Sequence, residues 1–211
     1  VTSNQAILEA KQAVAKLAVD LSGRGWMPAT SGNLSVRVDG TTDFCITPSG
    51  VDKGALQATD VLLLDLDGTV LEETRYRPSA ETIVHQKLYA SEECGSVLHV
   101  HTVYNNMVSQ LYFNQGHVEF ADHELLKALG HWEPDAKITL PIVENHADLQ
   151  LLGQAVGEAA VAGVPGVLVR NHGIYAFGRK PFDAKRHLEA FEFLFEYHVR
   201  MLQLAQVPLH R

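Results

Sequence analysis

Two histidines one residue apart, His99 and His101, stand in the apolar run VLHVHT, and His172 stands in VRNHGIYAFG directly after another apolar run. Alternate side chains of a strand share a face, so in a strand both imidazoles of the pair project to the same side. Neutral ring nitrogens converging from such positions suit a metal ion, and the glycine after His172 permits a close turn beside it. The three form a facial set of nitrogen ligands that leaves coordination positions for a substrate oxygen or water. Zinc fits this set because it binds imidazole and acts as a Lewis acid without redox chemistry, while manganese, iron and cobalt remain open.

A second candidate is DLDGTV, residues 65–70, where Asp65 and Asp67 are spaced like the carboxylates of phosphatases whose first aspartate attacks phosphorus. Apolar runs flank Asp67-Gly68, a pair suited to a tight hairpin because glycine tolerates positive φ and aspartate bonds to nearby backbone. The acids after Glu93 are too scattered to complete a magnesium site, which favours the hairpin. Three further segments, TSGNLS at 30–35, TPSG at 47–50 and PSAET at 78–82, combine hydroxyls, an amide and glycine-opened backbone in the way an anion pocket requires. His85, His117, His123, His131 and His146 have less specific contexts and are read as helix-face, capping or supporting residues.

These groups need a scaffold. Residues 3–25 place apolar side chains along one helical face, with Ser3 as cap and Gly23 or Gly25 as terminator. Short alternating runs follow in LSVRV, DFCITP and VLLLDLDGTVLEE, then a strand in VLHVHT and a helix in TVYNNMVSQLYF. Amphipathic DHELLKALG, the helical ADLQLLGQAVGEAAVAG, a strand in GVLVRNHG and a long helix through DAKRHLEAFEFLFEYHVRMLQL complete the chain. This alternation predicts an α/β domain with a helix-covered sheet, its strand order open. The aromatic stripe of the last helix either buries against its own subunit or closes a subunit boundary.

With 211 residues and 46% hydrophobic content, residues 1–211 read as a single domain with one substantial core. The net charge of −8 argues against a nucleic-acid surface but is compatible with a local phosphate pocket. No stretch matches the roughly 20 apolar residues of a membrane span. Cys45 and Cys94 lack a CxxC pattern and read as buried structural thiols, and the start lacks the basic-then-apolar layout of a secretion signal. The expectation is a cytoplasmic location without membrane or nucleic-acid partners.

Taken in order, TSGNLS, ITPSGVDKG, PSAETIVHQ, VLHVHT, DHELLKALG and VRNHGIYAFG resemble the class II aldolase/adducin family over residues 6–205. The resemblance implies a central, mainly antiparallel sheet flanked by helices, a homotetramer, and His99, His101 and His172 as ligands of one Zn2+ or other divalent ion per subunit. It further implies a carbon-oxygen lyase of methionine salvage that dehydrates a phosphorylated methylthio-sugar, 5-methylthioribulose 1-phosphate, to 2,3-diketo-5-methylthiopentyl 1-phosphate. A class II sugar-phosphate aldolase and a noncatalytic adducin-like interaction protein are the alternatives.

By the same resemblance Glu124 in DHELLKALG is the acid/base residue, while Glu81 in PSAET either supports the metal or takes part in catalysis itself. Asn33, Ser49, Gly50 and Ser79 match phosphate-contacting positions, although Ala80 departs from the family's serine pair. Lys53 reads as a solvated loop residue, and Met27, Tyr112, Phe113 and Tyr175 are candidates for contact with a methylthio group.

Overall fold

The computed structural model describes residues 3–91, 93–160 and 163–205. Helix α1 runs Asn4–Gly23, and the Ser3 side chain caps it by accepting from the Gln5 amide, as the sequence predicts. Strands β1 (Asn33–Arg37), β2 (Phe44–Ile46) and β3 (Leu62–Leu64) lead to α2 (Thr82–Leu88). Then come β4 (Ser96–Val100), α3 (Val103–Leu111), β5 (His117–Ala121), β6 (Lys137–Val143), α4 (Leu149–Ala159), β7 (Gly166–Val169), β8 (Gly173–Gly178) and α5 (Pro181–Leu204). Of the helical run read to Gly163, α4 takes Leu149–Ala159 and ends at an extended Ala160, with Val161 and Ala162 outside the described residues.

The strands form one sheet in the order β3-β2-β1-β4-β8-β7-β6-β5. Every neighbouring pair is antiparallel except β6–β7, which is parallel. Alternation along the central strands divides the apolar residues between two cores. Leu34, Val36, Leu98, Val100, Ile174 and Ala176 face a core shared with α1, α3 and α5. Val97, Val167, Val169 and Tyr175 face a second core shared with α2 and α4. By the two-residue period, Asn33, Ser35 and His99 point to the α2 side of the sheet, and the register places Asn33 opposite His99 and His99 opposite Tyr175.

DLDGTV is a turn. The Asp65 amide donates to the Thr69 carbonyl, Asp65 Oδ1 accepts from the Thr69 amide at 2.8 Å, and Gly68 takes φ +86°. Its returning arm makes an isolated bridge, Leu64 to Val70, rather than a full strand. DHELLKALG condenses to a short 3-10 helix, Glu124–Leu129, capped by His123 and packed on α5. Helix α5 buries one aromatic face against its own subunit and leaves another exposed. Leu188, Phe191, Leu194, Phe195 and Val199 are buried, while Phe193, Tyr197, Met201 and Leu204 form an exposed apolar row. Cys45 and Cys94 are buried free thiols, each pushed up to about 12 mainly by burial, in keeping with inert structural residues. Among the described residues no helix is long and apolar enough to cross a membrane.

Candidate metal centre and its anion pocket

Strand β4 carries His99, and His101 lies one residue past its end, where its amide donates to the Trp26 carbonyl. His172 comes from the turn between β7 and β8. The nearest ligand nitrogens of His99, His101 and His172 all lie within 4.8 Å of one another. The His99 Nδ1–H donates to the Ile174 carbonyl at 3.0 Å, leaving its Nε2 lone pair free. His172 Nδ1 lies 3.2 Å from Asn145 Oδ1, and its Nε2 faces Glu81 Oε1 at 3.0 Å. The Nε2 atoms of His99 and His101 are 2.8 Å apart, a gap suited to the Nε2 hydrogen of a neutral His101 or to a cation displacing it.

Burial holds His99 far below the ordinary histidine range and His101 at about 4, so both are uncharged at neutral pH, as metal ligation demands. The donor set therefore fits a divalent metal.

Gly173 and Asn171 divide the work that the sequence assigns to one glycine. The left-handed turn falls on Asn171, at φ +48°. Gly173 instead supplies space: a Cβ there would lie 2.3 Å from the Val100 carbonyl, 2.9 Å from His101 Cδ2 and 3.1 Å from His99 Cε1. Gly173→Ala is therefore expected to part the imidazoles and weaken metal binding at least tenfold, with an overpacking cost of about 1–3 kcal/mol. Metal titration and thermal unfolding check this against Gly23→Ala, whose Cβ meets nothing within 4 Å. Unchanged affinity in Gly173→Ala would contradict the close approach.

Glu81, at the N-cap of α2, lies against this centre. Its Oε1 is 3.0 Å from His172 Nε2 and its Oε2 is 3.4 Å from His99 Nε2. Oε2 also accepts from Asn33 Nδ2 at 2.7 Å and from the Tyr175 hydroxyl at 3.2 Å. Burial opposes ionisation, but the hydrogen bond from His172, the nearby His99 and His172, and the Asn33 amide together hold the carboxyl well below its usual range.

The loop leading into β1 is the most strained in the site, with Ala29 and Thr30 at positive φ beside Gly32. Lys53 is buried rather than solvated, because its ammonium donates to the Thr30 carbonyl and holds this loop. Among the described residues Ser31 Oγ, within TSGNLS, is buried with no hydrogen-bond partner. The Asn33 amide is spent on Glu81 and on Ser79 Oγ, which is 3.3 Å away. The Ser49 amide donates to the Arg77 carbonyl, and Gly50 takes φ +69°. The bridge between Pro48 and Pro78 draws TPSG and PSAET together.

A cavity of about 1080 Å3 opens beside His101 between α3 and α5, with Trp26, Val103, Tyr104, Met107, Leu111 and Phe193 among its walls. None of the four apolar residues singled out from the sequence lines it. Met27 is in the core, Tyr175 stacks on His99 at 3.9 Å, Tyr112 bonds to His198, and Phe113 lies under Arg170. The start of α3 is anchored to α5: Thr102 Oγ1 and Asn105 Nδ2 donate to Glu192, a buried carboxyl raised to about 7 mainly by desolvation. Glu124 stands apart. Its side chain is 78% exposed and paired with Lys127, and no residue of its 3-10 helix lines the cavity.

Three converging imidazoles and an ionised glutamate on an antiparallel sheet define a metal-centre fold that has known relatives. Residues 12–199 match the class II aldolase and adducin N-terminal domain, and the chain belongs to that family. A solved L-fuculose 1-phosphate aldolase superposes with a TM-score of 0.78 over 95% of this chain and 89% of its own, at 23% identity, and shares the fold. The methylthioribulose-1-phosphate dehydratase of Persephonella marina is 51% identical over 185 residues, covering 87% of this chain and 86% of its own. That of Bacillus subtilis is 45% identical over 193 residues, covering 90% and 92% respectively.

Proposed function

We propose that this chain is a metal-dependent lyase of methionine salvage that dehydrates 5-methylthioribulose 1-phosphate to 2,3-diketo-5-methylthiopentyl 1-phosphate. The observation that carries this reading is the convergence of His99, His101 and His172 beside Glu81, in a chain 51% identical to a methylthioribulose-1-phosphate dehydratase. His99, His101 and His172 would hold one Zn2+ per subunit, which when bound would supply Lewis-acid polarisation of the substrate carbonyl. The chemistry removes the C3 hydrogen as a proton and the C4 hydroxyl, which leaves as water. The resulting C3–C4 enol then takes a proton at C4 to give the diketone.

The two glutamates divide the remaining work. Glu81, which lies against His99 and His172 and accepts from Asn33 and Tyr175, balances charge at the centre and fixes the imidazoles. Glu124 carries protons, most usefully to the departing C4 hydroxyl. Its exposure in one chain, and the exposed apolar rows of α3 and α5 beside the centre, support a homotetramer in which a neighbouring copy presents Glu124 to the site. The substrate phosphate belongs near Ser49, Gly50 and Ser79, with the unpartnered Ser31 hydroxyl available as a donor. Asn33 serves that end through Ser79 and Glu81 rather than by free contact.

Mass spectrometry of the products tests the reaction. Metal-loaded protein is expected to yield the intact dehydrated diketone phosphate, whereas two carbon fragments would select the sugar-phosphate aldolase alternative.

A further inference from the structure

The helix and strand that meet below the metal centre interleave five polar side chains into one directional chain. Glu81, His85 and Tyr89 recur every four residues on one face of α2 and its ends, while Asn33 and Ser35 share one face of β1. Four helical residues advance about 6 Å and two strand residues about 6.8 Å, so the two rows interdigitate with little mismatch. The Tyr89 hydroxyl and Ser35 Oγ are 2.7 Å apart, and Ser35 Oγ and His85 Nδ1 are 2.7 Å apart. His85 Nε2 meets Asn33 Oδ1, and Asn33 Nδ2 meets Glu81 Oε2 at 2.7 Å. His85, Ser35 and Asn33 are buried, and so is Tyr89.

The direction of every bond follows from one end. An ionised carboxylate only accepts, so Asn33 must turn its NH2 to Glu81 and its carbonyl to His85. The carbonyl also only accepts, so His85 Nε2 carries the hydrogen and Nδ1 is bare. Ser35 then donates to Nδ1 and receives the Tyr89 hydroxyl. Burial pushes the His85 imidazole down to about 3, which keeps it neutral and makes one tautomer sufficient. A flipped Asn33 would set its carbonyl against the Glu81 carboxylate and leave His85 facing an amide donor.

We propose that His85 is a positioning residue: held as the Nε2-protonated tautomer that the Asn33 carbonyl requires and the Ser35 and Tyr89 hydroxyls accommodate, it locks the Asn33 amide and so braces Glu81 against the three imidazoles. This rests on the reading of that centre as the reaction site. The network also accounts for the burial of a histidine in PSAETIVHQ whose sequence context reads as an ordinary helix face.

Nitrogen-15 NMR of histidine-labelled protein, with His85→Gln used to assign the resonance, is expected to show a single His85 state with Nε2 protonated and Nδ1 bare. Asn33→Leu, which removes the carbonyl that demands the Nε2 hydrogen, is expected to release the second tautomer. His85→Leu is expected to lower kcat about 10²-fold, the cost of a small misplacement at a reacting centre, with KM and metal content little changed. His85→Gln, which places an amide N–H near the former Nε2, should recover most of that loss. An Nδ1-protonated His85, a folded His85→Leu with kcat within twofold of the parent, or no recovery by His85→Gln would each overturn the proposal. If His85→Leu fails to fold, the tautomer and its response to Asn33→Leu decide. An inactive parent showing the expected tautomer would count against the assigned reaction and leave the lock intact.

Discussion

His172→Ala is expected to empty the metal centre and reduce dehydration by at least about 10³-fold while the chain stays folded. Lewis-acid stabilisation is worth several kcal/mol, and each 1.36 kcal/mol is tenfold in rate. His172 is the best of the three positions for this test because it sits in a turn and its side chain is 14% exposed, so its truncation opens no large void. His99 is fully buried and stacked on Tyr175, so removing it would disturb the sheet as well as the donor set. Atomic spectroscopy of metal content, alongside kcat and thermal unfolding, separates these effects. Treating the parent protein with a chelator should reproduce the loss, and zinc should restore it. Full metal occupancy in folded His172→Ala would remove it from the ligand set.

Glu124→Gln is expected to keep its metal and fold yet lose about 10²–10⁴-fold in dehydration, the range of positioned acid/base catalysis. The side chain is exposed and held only by Lys127, so the amide should cost little stability. Its separation from the imidazoles within one chain leads to a sharper expectation. Mixed tetramers of Glu124→Gln and His172→Ala chains should regain activity, because a subunit with intact histidines can meet an intact Glu124 from its neighbour. Neither variant alone should do so. Recovery on mixing requires subunit exchange, which size analysis of tagged chains can follow. Near-parental activity of Glu124→Gln would end its assigned role, and a persistent monomer with full activity would end the shared-site arrangement.

The three histidines were legible because their geometry is local. His99 and His101 lie two apart at the end of an apolar strand, so periodicity aims that pair, while His172 was legible as a histidine beside a turn glycine and reaches them through the β4–β8 pairing. The Ser3 cap, the Asp65–Gly68 turn and the helical period of α5 were legible for the same reason. The anion-pocket segments were legible from their hydroxyls and glycines, and family resemblance added the roles of Glu81 and Glu124 and the individual positions Asn33, Ser49, Gly50 and Ser79. Of the apolar candidates, Met27 and Tyr175 are buried in the core, a distinction that only packing makes.

By itself, then, the sequence determined which side chains share a strand or helix face and where those elements turn or stop, because both depend on residues only a few positions apart. Tertiary structure alone decided that Glu81 reaches His99 and His172, that Lys53 is buried under the Thr30 carbonyl, and that Gly173 clears room for two imidazoles. It alone threaded His85 between Ser35 and Asn33. Those contacts join residues from distant parts of the chain, and they exist only once the β1–β4–β8 register is set and α2 packs on that face of the sheet. A one-residue slip in that register would turn Asn33, Ser35 and His99 to the opposite core while leaving every local pattern in the sequence unchanged.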